Sequence, residues 1–321
     1  MSSSQSSEND VMTPDIREIA SDLRNSKGHG FLCFEHDGLY LFIPPPAMLK
    51  GGHPADKVKS IREAELKDDD IIICAYPKCG THWLWEIMEM LISGTIKYQK
   101  DVKETRMMEF IFKDGIEAVP SPRVFNTHLP LRMLPRQVVE KKIKCFHIMR
   151  NPKDACVSFF NHLRDMEKPY NYEGDFVEFT EAFLSEKMPF GSYSNYLLAW
   201  QKETAAAPDL PVLNLFYEDM KIHPVKCVKD VSRFLGLSST DQFCEDVANA
   251  CSFKKMKKVD QEMKTKPDMK IWQDGTEGTF YRKGEIGDWK NWFTVAESER
   301  FDHIWNKKMK DSGFEFTYAP A

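Results

Sequence analysis

No apolar run in this 321-residue chain approaches the roughly 20 residues that a helix needs to span a bilayer. The opening residues, MSSSQSSENDV, lack the basic and apolar regions of a secretory signal. Together the two absences predict a cytosolic protein. The eight cysteines, Cys33, Cys74, Cys79, Cys145, Cys156, Cys227, Cys244 and Cys251, include no CxxC pair, and several sit inside apolar runs. Thiols placed this way read as reduced and partly buried, which indicates neither a disulfide framework nor a zinc site, and no metal is expected. A formal net charge of −5 leaves no electrostatic footprint for nucleic acid and points to a small partner. The GxxxxGK[ST] loop is missing as well, which weighs against a nucleotide-dependent kinase of the Walker type.

What is present suits one globular α/β unit: 42% hydrophobic and 29% charged residues can bury a sizeable core. The Ser-rich stretch 1–15 has too little apolar surface to offset its ordering entropy and is expected to be disordered, leaving 16–321 as a single domain. After an opening strand within 71–83, short apolar or alternating runs at 123–128, 142–149 and 211–218 read as further strands. Helical patterns at 80–93, 153–165, 192–205, 224–235, 241–250 and 295–311 separate most of them or follow them. Strands alternating with helices imply a central parallel sheet flanked by helices on both faces.

The segment IIICAYPKCGTHW (71–83) reads as strand, tight turn, helix. A helix N-terminus offers unpaired amides and the positive end of the helix dipole, so this layout cradles an anion, and Lys78 adds a full charge. Because Lys78 precedes Gly80, the loop only resembles a P-loop. In an open parallel sheet, ligands bind beyond the carboxyl ends of the strands, and Lys78, His128 and Arg150 fall at three such ends. Arg150 opens RNPKDACVS, where Pro152 and Asp154 suit a helix start and place Ser158 about two turns in. Taken singly, an ordinary turn, a structural histidine and a surface ion pair explain these residues; their joint placement points to one crevice.

The set YPKCGTHW (76–83), THLP (127–130), RNPKDACVS (150–158), LFYEDM (215–220), SFKKM (252–256) and RKGEIGDWKNWF (282–293) closely resembles the cytosolic sulfotransferases, in order and in spacing, from about residue 60 onward. The resemblance implies transfer of a sulfuryl group from 3′-phosphoadenosine 5′-phosphosulfate, a diffusible co-substrate, to a hydroxyl or amine of a small acceptor such as a phenol, steroid or alcohol. It makes His128 the general base that deprotonates the acceptor. Lys78 contacts the bridging oxygen of the phosphosulfate, where charge develops, and the amides of Cys79, Gly80, Thr81 and His82 hold the 5′-phosphate. Trp83 stacks on adenine, which Tyr217, Cys251 and Phe253 line. Arg150, Ser158, Arg282, Lys283 and Gly284 surround the 3′-phosphate. The segment 290–299 fits the family's dimer motif through Lys290, Thr294, Val295 and Glu299, so a homodimer is expected.

Four positions depart from the family pattern. His82 replaces a small hydroxyl residue at the end of the phosphosulfate loop, and Cys79 stands where serine or threonine is common. Asn126, two residues before the base, stands where the family often has a lysine that assists at the sulfuryl group. Cys251 replaces a threonine beside adenine. These departures keep an alternative open: a catalytically weak or inactive protein of the same fold that binds the donor or its desulfonated product. The basic run 254–258 reads first as a solvated face, and Phe110, Phe112, Phe159 and Phe160 are candidates for an apolar acceptor pocket. The first 60 residues carry no recognisable motif.

Overall fold

In the computed structural model the fold is described for residues 21–44, 46–49, 52–99, 103–262, 271–276 and 278–320; the expectation for the tail 1–15 lies outside them. Four strands form the parallel sheet: β4 (Ile71–Ala75), β5 (Val124–Thr127), β6 (Lys144–Met149) and β7 (Val212–Phe216), in the order β5-β4-β6-β7. Ile71 of β4 pairs with Val124 of β5 and with Lys144 of β6, and Cys145 pairs with Val212 of β7. Every residue of β4 is buried, as expected for a continuous β-branched run packed on both faces. Truncating Ile72 or Ile73, both without exposed surface, to alanine would cost about 2–5 kcal/mol.

The predicted helices form, with boundaries shifted by at most two residues: Thr81–Ser93, Pro152–Asp165, Tyr193–Ala205, Pro224–Leu235, Asp241–Ala250 and Val295–Met309. Their starts follow local chemistry. The Asn151, Ser192, Thr240 and Thr294 side chains each accept an amide of their helix's first turn, and Pro152 and Pro224 occupy first-turn positions where no amide is needed. Helix 81–93 begins at Gly80 and ends at Gly94, both left-handed.

The N-terminal region, which offered no motif, folds into an antiparallel sheet of β1 (Ser21–Asp22), β2 (Leu32–His36) and β3 (Leu39–Phe42). Asp37 and Gly38, both at positive φ, make the two-residue turn between β2 and β3 that an Asp-Gly pair favours. The amide of Phe190 bonds the Tyr40 carbonyl at 2.7 Å, so this sheet is tied to the rest of the fold beside the strand ends. Among the described residues, no helix is long and apolar enough to cross a membrane.

Candidate active site

The carboxyl end of each parallel strand delivers one polar or aromatic group to a common region: Lys78 after β4, His128 after β5, Arg150 after β6 and Tyr217 after β7. Between β4 and its helix the chain turns through Lys78 at φ +67° and Gly80 at φ +112°. A Cβ on Gly80 would stand 2.9 Å from the Tyr217 ring, so only glycine permits this approach. The amides of Gly80, Thr81 and His82 open the helix and have no intrahelical acceptor. The Cys79 amide instead bonds the Tyr76 carbonyl at 3.4 Å.

Burial, reinforced by the neighbouring Lys103 cation, lowers the Lys78 ammonium to about 7. Arg150 stacks over the Tyr217 ring at 4.3 Å and donates to the carbonyls of Lys78 and Glu285, each at 3.3 Å. Arg282 and Lys283 both contact the Asp288 carboxylate at 2.5 Å. Although burial opposes it, these cations hold Asp288 down to about 2. A Cβ on Gly284, itself at φ +69°, would lie 2.1 Å from a carbon of the Phe253 ring. The glycine thus lets the 282–288 loop lie directly on that ring. Trp83 meets Tyr217 edge to face at 5.5 Å.

His128 is buried, and its Nδ1–H donates to the Ala75 carbonyl at 2.7 Å, which leaves Nε2 as the acceptor nitrogen. Its backbone amide donates to Oε1 of the buried Glu109 at 2.7 Å, and Phe190 packs edge to face against the ring at 5.2 Å. Burial, with Lys103 adding to it, lowers the imidazole to about 3, so the ring is neutral at pH 7. Burial alone pushes the Glu109 carboxyl up to about 7.

Two of the departures from the family pattern meet at one dipeptide. Nε2 of His82 lies 2.9 Å from Oε1 of Glu104, and the His82 ring stacks on Phe280 at 4.2 Å. Lys103 donates from Nζ to Oδ1 of Asn126 at 3.0 Å and accepts at its carbonyl from Nδ2 of Asn126 at 2.8 Å. The same ammonium lies 3.3 Å from Oε1 of Glu104. Sequence reasoning missed Lys103, Glu104, Glu109 and Asp154. Asp154 accepts the amides of Gly287 and Trp289 at 2.7 and 2.9 Å and so anchors the 282–288 loop. Its place inside RNPKD was a signal, but was spent on the helix start.

These groups surround a cavity of about 440 Å³. It gathers Lys78, Gly80, Thr81, His82, Trp83, His128, Arg150, Ser158, Tyr217, Phe253, Arg282, Lys283 and Gly284. The thiols of Cys79 and Cys251 are not on its wall: Sγ of Cys79 turns to the Pro77 carbonyl and Sγ of Cys251 to the Met90 sulfur. Phe110 and Phe159 line it, whereas Phe112 and Phe160 pack into the core. Phe42, Ile43 and Pro44 extend its apolar side from the N-terminal sheet. On helix 253–262, Met256 faces the cavity and Lys257 bonds the Arg282 carbonyl at 3.1 Å, while Lys254, Lys255 and Lys258 are solvated as expected.

The sulfotransferase domain family matches residues 68–313. Mouse sulfotransferase 1A1 is 36% identical over 275 residues, 82% of this chain and 92% of that protein. Human sulfotransferase 1C2 is 34% identical over 271 residues, 81% of this chain and 90% of its own. The crystal structure of mouse sulfotransferase SULT7A1 complexed with PAP superposes with a TM-score of 0.69 at 28% identity, covering 87% of this chain and 95% of that one. A matched family domain over most of the chain, on a sheet whose strand ends converge on a helix N-terminus and a buried histidine, identifies this chain as a member of the sulfotransferase family.

Proposed function

We propose that His128, Lys78 and the loops around them carry out sulfuryl transfer from 3′-phosphoadenosine 5′-phosphosulfate to a small acceptor, the reaction of this family. The donor fits the residues present. Nε of Arg150 and Nε of Arg282 are buried without a hydrogen-bond partner, and both arginines face the cavity beside the Gly80–His82 amides. When bound, the donor supplies an activated sulfuryl group and two phosphates. The 81–93 helix start holds the 5′-phosphate, and Arg150, Ser158, Arg282, Lys283 and the Gly284 backbone hold the 3′-phosphate. Trp83, Tyr217 and Phe253 enclose the adenine. Lys78 stabilises the oxygen on which charge develops as the sulfur–oxygen bond breaks.

The carrying observation is the tautomer of His128. The Nδ1–H bond to the Ala75 carbonyl orients the ring and leaves only Nε2 open to an acceptor hydroxyl, while Glu109 holds the backbone amide of the same residue. The apolar wall of Phe42, Pro44, Met107, Phe110, Phe190 and Phe280 suits phenols, steroids and alcohols. A binding-only role is not favoured, because Asn126, which stands where the family often has a lysine, bonds the ammonium of the cavity-lining Lys103. Sulfate transfer to a mixed acceptor panel, with His128→Ala in parallel, tests the reading. The variant should lose turnover while binding PAP near wild-type affinity; substantial residual sulfation of a phenol by it refutes the base.

Three further points belong to this proposal. Lys290, Thr294, Val295 and Glu299 are all exposed, which supports a homodimer through them. The eight cysteines are free and buried, which suits a cytoplasmic, reducing location. A core cluster running from Leu23 to Met309 supports one domain over 16–321.

A further inference from the structure

The missing lysine of the THLP strand leaves a chemical need unmet in the sequence: a second cation beside the oxygens of the migrating group. Asn126 occupies that position, and it is buried. Its amide is a bidentate holder. Oδ1 accepts from Nζ of Lys103 and Nδ2 donates back to the Lys103 carbonyl, so both ends of one residue are gripped by one side chain. Lys103 is 2% exposed, yet lines the cavity together with Lys78 and His128. A buried ammonium without several partners is costly; an ammonium carries three N–H donors, of which Asn126 accepts one, while Oε1 of Glu104 lies 3.3 Å away as an ion-pair partner.

We propose that Lys103 is a catalytic residue of this sulfotransferase, its ammonium donating an N–H to an oxygen of the sulfuryl group in transit and so replacing, from a different segment, the lysine absent at Asn126. The assignment rests on the sulfotransferase reading above. In the step it serves, Nε2 of His128 takes the acceptor's proton as the acceptor oxygen bonds to sulfur. The bond from sulfur to the bridging phosphosulfate oxygen breaks, and that electron pair leaves with PAP beside Lys78. Lys103 neutralises the charge on the non-bridging sulfuryl oxygens throughout. Oε1 of Glu104 lies 3.3 Å from Nζ of Lys103 and 2.9 Å from Nε2 of His82, so the residues at two departed family positions gather around one dipeptide.

Electrostatics agree with this placement, since Lys103 is among the leading causes lowering both Lys78 and His128. The charged or titratable groups facing His128 are Lys103 and Glu104 from the 103–106 turn, His82 from the phosphosulfate loop, and Glu109 behind its amide. Removing Lys103 subtracts a cation from this set, so the acid limb that His128 imposes on turnover should move to higher pH. A merely structural residue would not move it.

The test compares wild type, Lys103→Met, Lys103→Gln and the double variant Lys103→Met/Asn126→Lys, with kcat at saturating donor, PAP affinity by calorimetry and the pH profile as readouts. Lys103→Met should lower kcat by about 10²-fold, the usual loss on removing one transition-state donor, while PAP affinity stays near wild type and the acid limb rises. Asn126→Lys in that background should recover at least about tenfold in kcat and return the limb towards its original pH. Unchanged kcat in Lys103→Met, or no recovery in a double variant that binds PAP normally, overturns the proposal. Failure of both single variants to fold makes Lys103 structural and overturns it too. A wild-type protein that binds no PAP and transfers no sulfate would instead remove the underlying sulfotransferase reading, which the wild-type control reveals separately.

Discussion

Asp154 reaches across from the first turn of helix 152–165 to hold the loop that faces it, its two oxygens accepting the backbone amides of Gly287 and Trp289 at 2.7 and 2.9 Å. The loop it holds presents Arg282, Lys283 and Gly284 to the cavity. A residue in the first turn of the helix that carries Ser158 therefore positions the loop that carries Arg282 and Lys283.

Asp154→Ala leaves two half-buried amides without an acceptor, a loss of about 1–3 kcal/mol each at most when no water replaces the carboxylate. Urea unfolding should show lower stability, and calorimetry should show PAP affinity reduced by at least about tenfold, since the 282–284 groups lose their fixed position. Unaltered PAP binding would show that the loop holds its shape without Asp154.

Lys78 titrates near 7 in the free protein because burial and Lys103 disfavour its charge. A bound anion reverses that preference and raises its value, so above about pH 7 binding takes up a proton and PAP affinity should fall as pH rises. Calorimetry in buffers of different ionisation enthalpy measures the uptake directly. In Lys78→Met the uptake should vanish; an unchanged pH dependence would assign the proton elsewhere.

His82, His128 and His147 are all lowered by burial, to about 3, 3 and 4. Because the unfolded chain protonates these rings near 6.5 while the folded one does not, their contribution to stability is present at neutral pH and is lost as pH falls from about 6.5 towards those lower values. His147 lies outside the cavity, with Nδ1 3.2 Å from Oδ1 of Asn214 and its ring stacked on Trp200. Near pH 5, His147→Gln should reduce the slope of unfolding free energy against pH by about 1.4 kcal/mol per unit, one proton's worth. Urea titrations at several pH values would read it, and an unaltered slope would contradict a neutral buried ring.

Thr294 and Glu297 form a reciprocal capping box at the start of helix 295–309, and the adjacent Val295 is 76% exposed. The two residues are therefore separable. Thr294→Ala should cost about 1 kcal/mol whatever the oligomeric state. Val295→Asp should leave the fold intact and convert a sedimenting dimer to a monomer, and a wild-type monomer at micromolar concentration would refute the dimer.

The local chemistry of this chain was legible in its residues. A β-branched run that must be buried on both faces, a proline and an asparagine at a helix start, and a turn with one obligatory glycine each act over a few residues, so IIICA, NP and KCG could be read directly. So could the order of strands and helices, because periodicity is a local property. Tertiary structure alone decided what those elements bring together. Lys103 and Asn126 are 23 positions apart and Asp154 and Gly287 are 133 apart, and no spacing rule links them. The β1–β3 sheet had a turn signal at Asp37-Gly38, yet its delivery of Phe42 and Pro44 to the cavity depended on docking beside Phe190. Charge compensation at a buried site depends on distance and burial, and those are set only when the strand ends converge.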